Sequence, residues 1–421
     1  MKTMNKVLEK FLSTRLLSWV FVGFLISYLL FFIKPIFFSS TIMQFPEYIQ
    51  TIDPIGYDLK QMRSYSESLF INKQTPYIGN NLYPPLASVL FGPFLLFTFS
   101  ESYKILSLLT FLAFVLLPFL LRAGKEKATL TWLFVLVGLF SYGFQFEVER
   151  GQFNIISMFF CFLGVWIFYF HKKSRILAYI LFSLSVQLKV FPFIFILLFV
   201  DNAQRIKTNI LRLAGLLFSN FLLLFVLGSG IFIDFFHAIK TQTINPGIWI
   251  GNHSIKAFVT LIQGGQSWNL PFSKVIELIL LVLIILNILI ILYRTLGQKE
   301  KTPNPFLLIA CALGALLIPS VSHDYKLSIL VAPFAYFICR IGDLEERIGS
   351  IRHRIISIFM VLFFSIAYFS TSFSYTNKYG AFINNFPMLL LMLLLLNFLH
   401  LLYQPGFPSL TSVIQSFRGE E

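Results

Sequence analysis

"YPPLASVLFGPFLLFTF", residues Tyr83–Phe99, decides the architecture of this chain. The run is apolar almost throughout and close to the ~20 residues that a helix needs to cross a bilayer. If it crosses, every later connection changes sides. The Gly92-Pro93 pair interrupts it, so we read an apolar helix lying at the outer interface. Before it runs the most polar long stretch of the sequence, "GYDLKQMRSYSESLFINKQTPYIGNNLYPPL" (Gly56–Leu86), which then becomes part of a large outer loop.

Working outward, the chain has 421 residues, of which 57% are hydrophobic and 12% charged, with a mean hydropathy of +0.78. A soluble domain carries roughly twice that charged fraction. The apolar runs predict an all-α, polytopic membrane protein with about twelve crossings, near 16–34, 101–121, 129–146, 151–170, 176–188, 190–200, 209–231, 271–293, 305–321, 326–341, 354–373 and 386–403. Residues 176–200 are too short for two full crossings, and Lys189 and Pro192 interrupt them, so a broken re-entrant pair is expected there. The first run, Leu16–Ile33, ends in Lys34-Pro35 without a small-residue cleavage site, which favours an uncleaved span over a signal peptide. No repeat or low-complexity linker divides the chain, so residues 1–421 read as a single membrane domain.

Charge then orients the bundle. The connections "RAGKEK", "HKKSR", "DNAQRIKTNILR", "RTLGQKEK" and "RIGDLEERIGSIRHR", with both termini, hold 21 Lys and Arg against 9 Asp and Glu; the other side holds 12 against 10. Nearly all of the +14 net charge is therefore on one face, which the positive-inside rule makes cytoplasmic. A nucleic-acid-binding stripe would not be spread over separate connections on one membrane face. The opposite face carries long loops at about 35–100 and 232–270 and the turns "EVERGQFN" and "SHDYK". The three cysteines, Cys161, Cys311 and Cys339, lie in apolar runs without metal spacing and read as small core residues.

Ionisable residues at membrane depth are costly and mark function, and here they gather on the outer side: Asp53, Asp58, Glu147, Glu149, Arg150, Lys189, His323, Asp324 and Lys326. Each also has a structural reading. Asp53 precedes Pro54 and suits a turn. Asp58 suits the start of an amphipathic helix whose Leu59, Met62 and Leu69 share one face, where it could cap. Glu147 and Glu149 suit a solvated turn or a pair with Arg150. Lys189 could snorkel to the interface, and His323 could be an interfacial histidine. The loops contain no P-loop, no glycine-rich nucleotide fingerprint and no His/Cys metal spacing. What remains suits a substrate with a lipid tail and an anionic head: cations to hold a phosphate, and a carboxylate to take a proton from an incoming hydroxyl.

The order of these outer motifs, an Asp in the first loop, then "YPPL", "GQFNIIS", "LKVFP", "GNHSIKAF" and "SHDYKLSILVAPF", resembles the polyprenol-phosphate-mannose-dependent mannosyltransferases of glycosyltransferase family 87, which have the GT-C fold. The resemblance runs from about residue 16 to 341. It implies inverting transfer of a sugar, mannose above all, from a polyprenyl phosphate to a glycan or lipid-linked hydroxyl. It implies a plasma-membrane enzyme with an extracytoplasmic site and cytoplasmic termini, with no cofactor, no metal and no nucleic acid. By position, Asp58 matches the family's general base. Arg150, Gln152, Asn154, Lys189, His323 and Lys326 become the expected ligands of the donor phosphate and sugar, and Tyr83, Asn252, His253 and Ser254 the expected acceptor or loop residues. The chain has Arg150 where the family often has Asn, and His253 where Gln is commoner, which leaves the sugar and acceptor open. The competing readings are a transporter or flippase for polyprenyl-linked saccharides, for which charges should line a path through the bundle, and an O-antigen ligase or polymerase, whose richest loop comes late in the chain.

Overall fold

The computed structural model describes residues 54–77, 79, 81–120, 128–200, 206–244, 247–248, 250–263, 272–296, 302–348 and 384–403, with isolated positions among 19–25 and 355–362. In chain order the helices are α1 Tyr57–Phe70, α2 Pro85–Leu90, α3 Phe99–Leu120, α4 Ala128–Leu139, α5 Tyr142–Arg150, α6 Asn154–Phe170, α7 Arg175–Leu188, α8 Ile206–Leu223, α9 Ser229–Ile244, α10 Ile255–Ile262, α11 Ser273–Leu296, α12 Pro305–Leu317, α13 Val331–Ile348 and α14 Phe386–Tyr403. Three 3₁₀ segments matter for the site or its surroundings: Gly92–Leu96, Phe191–Phe199 and Asp324–Leu330. No strand forms among the described residues; one isolated antiparallel bridge joins Asn252 to His323.

Among the described residues, α3, α11 and α14 are long and apolar enough to cross a membrane. They fall on the expected spans 101–121, 271–293 and 386–403. Helices α5 and α6 qualify only as a pair, and they are bent by 111° at their junction. The expected crossing at 129–146 is therefore divided: α4 stops at Leu139, and Ser141 starts α5 by accepting a hydrogen bond from the Phe144 N–H. The expected crossing at 305–321 is shorter, because α12 ends at Leu317. Its start is fixed by Asn304, whose Oδ1 accepts from the N–H groups of Phe306 (2.9 Å) and Leu307 (3.2 Å), with Pro305 in the first turn. The expected span at 326–341 opens instead as the 3₁₀ segment, and α13 follows from Val331. Residues 176–200 form α7 and a 3₁₀ segment that meet around Lys189. The crossings expected at 16–34 and 354–373 lie outside the described residues except for isolated positions.

Tyr83–Phe99 does not form one long helix. It gives α2, then the 3₁₀ segment beginning at Gly92, before α3 starts. Pro93 cannot donate to a continuing helix, and Thr98 and Glu101 open α3 as a capping box: the Thr98 N–H donates to Glu101 Oε2 at 2.9 Å and the Glu101 N–H to Thr98 Oγ1 at 3.3 Å. Arg63 of α1 clamps this region by donating to the Phe94 and Phe97 carbonyls at 2.6 and 2.9 Å.

Two apolar clusters hold the described chain together. The larger is built on α12, buried along its whole length, and on phenylalanines without exposure, among them Phe162, Phe195, Phe306 and Phe337. Cys161 and Cys311 are buried within it as small core residues. The smaller cluster lies under the first loop and joins Leu59 and Met62 of α1 to Ala87, Phe91, Leu106, Phe153 and Leu188. The face expected from Leu59, Met62 and Leu69 is thus the buried one for the first two, while Leu69 is half-buried. This cluster seats the first loop on α6 and α7, and so sets where Asp58 lies.

Candidate active site

Two glycines bring the site together. Gly56 precedes α1 with φ 82° and Gly151 follows α5 with φ 64°, both left-handed conformations that favour glycine. A Cβ on Gly151 would stand 3.1 Å from Gly56 Cα, and one on Gly56 would stand 2.7 Å from the Tyr103 ring. The Gly56 N–H donates to the Glu149 carbonyl at 2.7 Å, and the Tyr103 hydroxyl to the Val148 carbonyl at 3.0 Å. The first turn of α1 therefore abuts the last turn of α5. Asp58 lies at a helix N-terminus and Arg150 at a C-terminus, so each side chain also suits the local helix dipole.

The Asp58 carboxylate receives three hydrogen bonds. Arg150 binds it in a fork, Nε to Oδ2 at 2.9 Å and Nη2 to Oδ1 at 2.7 Å, and Gln152 Nε2 donates to Oδ2 at 2.6 Å. Such bidentate, charge-assisted pairs fix orientation as well as energy. Oδ2 is filled and Oδ1 keeps one acceptor position. The pair is largely buried, with side-chain exposures of 15% for Arg150 and 8% for Asp58. Gln152 passes the contact on: its Oε1 accepts from Lys189 Nζ at 2.6 Å. Lys189 also reaches the Tyr83 hydroxyl at 3.3 Å and lies over the rings of Tyr83 and Phe153 at 4.4 and 4.2 Å. Burial, and then the charge of Lys326, push the Lys189 ammonium down to about 7, against the pull of Asp58 and Glu147. Burial and the Asp58 charge push the Tyr83 phenol up, so it stays a hydrogen-bond donor.

A second layer comes from α5, α6 and the 3₁₀ segment Asp324–Leu330. Glu147 is fully buried, accepts the Ile155 N–H on Oε1 at 2.8 Å, and takes the Ser328 hydroxyl on Oε2. Asn154 is buried at the start of α6. Lys326 is buried, donates to the Val321 carbonyl and lies 5.6 Å from the Phe191 ring centre. His323 is half-buried and packs edge-on against Tyr325; burial, with Lys326, His253, Arg150 and Lys189 around it, holds its imidazole below the usual value.

The loop residues Asn252, His253 and Ser254 are tied to residues 320–324. Asn252 Oδ1 accepts the N–H groups of Ser322 (2.9 Å) and Ser254 (3.2 Å), and its amide donates to the Gly247 and Ser320 carbonyls at 3.0 and 3.2 Å. The His253 N–H donates to the Ser322 carbonyl at 2.8 Å, and the His253 ring pairs with Asp324 out of contact with solvent. Ser254 starts α10 by accepting the Ala257 N–H at 3.2 Å. Asn384 adds bonds to the Ile250 and Asn252 carbonyls at 2.7 and 2.9 Å.

Several structural readings change. Asp58 is not the cap of α1, which opens on Gly56; its carboxylate faces α5 instead. Arg150 forks onto Asp58 rather than closing a solvated turn with Glu147, which is buried and bonded to a serine and a backbone N–H. Lys189 turns inward rather than snorkelling. Asp53 lies outside the described residues. Tyr83, Arg150, Gln152 and Lys189 come together with Asp58, while Asn252 and Ser254 spend their polar groups on loop backbone. Sequence reasoning passed over Tyr325, Phe153 and Ser328. All three stand inside the quoted motifs "SHDYKLSILVAPF" and "GQFNIIS"; Tyr325 and Phe153 adjoin residues singled out there, whereas Ser328 carries no signal beyond its place four residues after Asp324.

Among the described residues no group of three or more His, Cys, Asp or Glu side chains is placed to hold a metal ion. No curated protein and no solved structure matches the chain. A family model, that of glycosyltransferase family 87, matches residues 81–320. The match takes in Tyr83, Arg150, Gln152, Asn154, Lys189 and Asn252–Ser254, and leaves Asp58, His323 and Lys326 outside. It covers more than half of the sequence, and with the apolar helices it makes this a membrane glycosyltransferase: the chain belongs to glycosyltransferase family 87.

Proposed function

We propose that the protein transfers a sugar, mannose in the first instance, from a polyprenyl-phosphate donor to a hydroxyl of a glycan or lipid-linked acceptor, with inversion and without a metal. The observation that carries this reading is the carboxylate of Asp58, held by Arg150 and Gln152 within one further residue of Lys189. In the proposed step the acceptor oxygen attacks the anomeric carbon and the carbon–oxygen bond to phosphate breaks. The leaving group is polyprenyl phosphate, and the hydroxyl proton passes to Asp58. Phosphate is a good leaving group, so one base suffices. Lys189, Arg150 and Lys326 provide the positive charge that the departing phosphate needs, and His323, held neutral by burial and by the cations around it, offers it a ring hydrogen bond. Gln152 and Asn154 complete the donor side, Tyr83 presents a hydroxyl beside Lys189, and His253 belongs to the loop that borders the acceptor side.

The architecture that goes with this reading is a single GT-C-like domain over residues 1–421, with about twelve crossings in the plasma membrane, an extracytoplasmic site and cytoplasmic termini. The charge asymmetry of the connections supports it. Cysteine labelling tests the topology: Lys125, Lys207 and Lys301 should report the inside, and Lys73 and Gln266 the outside. Outside labelling at Lys125 would restore Tyr83–Phe99 as a crossing.

The reaction is tested by incubating the purified protein with polyprenyl-phosphate mannose and an acceptor, then measuring release of polyprenyl phosphate and the anomeric configuration of the product. Release that depends on Asp58 supports the reading. A retained configuration, or no release from any polyprenyl-phosphate sugar, overturns it.

A further inference from the structure

Glu147 is buried without exposure, and the turn between α5 and α6 closes on it. Its main-chain carbonyl accepts the Gln152 N–H at 2.9 Å, and its Oε1 accepts the Ile155 N–H at 2.8 Å. Both donors of hydrogen bonds to Asp58, Arg150 and Gln152, are carried on the stretch that these two contacts bracket. The other carboxylate oxygen takes the hydroxyl of Ser328, in the 3₁₀ segment that also carries Asp324, Tyr325 and Lys326. The Ile155 N–H lies in the first turn of α6, where a helix has no internal partner for it. The carbonyl of Glu147 thus closes the turn, and its side chain ties the end of α5 to the start of α6 and to a segment 181 residues away.

We propose that Glu147 is a positioning residue for the base: its two hydrogen bonds hold the 150–152 turn so that Arg150 and Gln152 aim the Asp58 carboxylate at the acceptor hydroxyl. Glu147 does not touch the substrate in this scheme and moves no proton. The kinetic part of the inference rests on the proposed transfer reaction; the geometric part does not.

The substitutions separate geometry from charge. Glu147→Gln keeps a carbonyl acceptor for Ile155 and an amide that can donate to the Ser328 hydroxyl, and it removes the negative charge beside Lys189. Glu147→Ala removes both bonds. A misplacement of about 1 Å at a reacting centre costs about 100-fold in rate. The expected result is that Glu147→Ala lowers kcat about 100-fold with donor KM changed by less than about threefold, while Glu147→Gln stays within about fivefold of wild type. Ser328→Ala, which removes one arm, should lower kcat about tenfold, and it serves as the test if Glu147→Ala does not fold. Glu147→Gln as inactive as Glu147→Ala would make the charge essential and overturn the proposal. Wild-type kcat in Glu147→Ala, or in Ser328→Ala where the former is unfolded, would overturn it too.

Cryo-electron microscopy of the substrate-free variants gives the second readout. Arg150 and Gln152 should leave Asp58 in Glu147→Ala, or in Ser328→Ala if that is the variant that folds, and stay on it in Glu147→Gln. An intact fork on Asp58 without the Glu147 contacts overturns the proposal. If wild type transfers no sugar from any polyprenyl phosphate, the functional reading fails and these maps alone decide whether Glu147 positions Asp58.

Discussion

Two polar clusters on the same set of loops differ in what their side chains bind. Around Asp58 the bonds run from side chain to side chain: Arg150 and Gln152 onto the carboxylate, Lys189 onto Gln152 and Tyr83. Around Asn252 most of them run from side chain to backbone, onto Ser322, Ser254, Ser320 and Gly247, with Asn384 closing the loop from the far side. A side chain that bonds backbone fixes chain path and has its capacity used up. A side chain that bonds other side chains leaves a surface whose charge can be offered to a ligand. On the proposed reading, the first cluster serves the chemistry and the second the architecture.

That contrast is tested most sharply at Asp58. Asp58→Asn keeps the shape and part of the hydrogen bonding but cannot accept a proton, and general-base catalysis is worth ~10²–10⁴-fold. Single-turnover transfer should slow at least ~100-fold while the variant folds and binds donor. Asp53→Asn should do much less. Near-normal transfer by Asp58→Asn would remove the chemistry from this cluster. Next comes Lys189→Met, which removes a cation from the proposed phosphate site. A charged hydrogen bond is worth about 1.5–3 kcal/mol, so donor KM should rise about 10- to 100-fold with a smaller change in kcat.

The pH dependence of donor binding is smaller. Lys189 is pushed down to about 7 by burial and by Lys326, with Asp58 and Glu147 opposing. Its charge is present below that value and is lost as pH rises through it. Donor affinity should therefore fall with rising pH, by at most about tenfold per pH unit. Arg150, His323 and Lys326 share the field, so the control is Lys189→Met, in which this slope should flatten; an unchanged slope assigns the titration to another group.

The second cluster should respond differently. Asn252→Ala leaves the Ser322 and Ser254 N–H groups without their acceptor, a cost of about 1–3 kcal/mol in folding. The thermal midpoint should fall, and transfer by the folded protein should stay within about threefold of wild type. A large kcat loss without a stability loss would move Asn252 into the chemistry. The smallest effect is expected from EDTA. Hard cations prefer clustered oxygen ligands, and transfer should stay within about twofold. Loss restored by magnesium or manganese would make Glu147 and Glu149 metal-ligand candidates.

The sequence made the helical membrane class legible because burial in lipid demands long apolar runs, and α3, α11 and α14 appear where those runs are. It also made legible the break at Gly92-Pro93, since proline acts locally. The bend between α5 and α6 was not legible. It depends on Gly151 adopting φ 64° against Gly56, a contact between positions 95 residues apart that no local pattern announces. The same holds at the site. Asp58, Arg150 and Lys189 could each be picked out as costly polar groups near a membrane, and Gln152 through the family resemblance, but who binds whom could not. The sequence offered Glu147 and Glu149 either as a solvated turn or as partners of Arg150, and the tertiary packing forks Arg150 onto Asp58. Glu147 could be read as solvated because it stands in a turn with Glu149 and Arg150; the fold turns it toward Ile155 and Ser328.

The separation of the site's parts along the chain has a consequence for biosynthesis. Asp58 emerges 92 residues before Arg150, and Ser328 emerges 181 residues after Glu147. Until Arg150 emerges the carboxylate of Asp58 lacks the partner that forks onto it, and an unpaired charge is expensive to bury. In the proposed topology the first loop then waits in water at the outer face while α3 to α5 are made, and settles on the bundle once Arg150 has arrived. A ribosome stalled before residue 150 would leave that loop open to protease from the outer side, and one stalled past residue 189 would leave it protected, so the moment of assembly can be timed by where the nascent chain stops being cut.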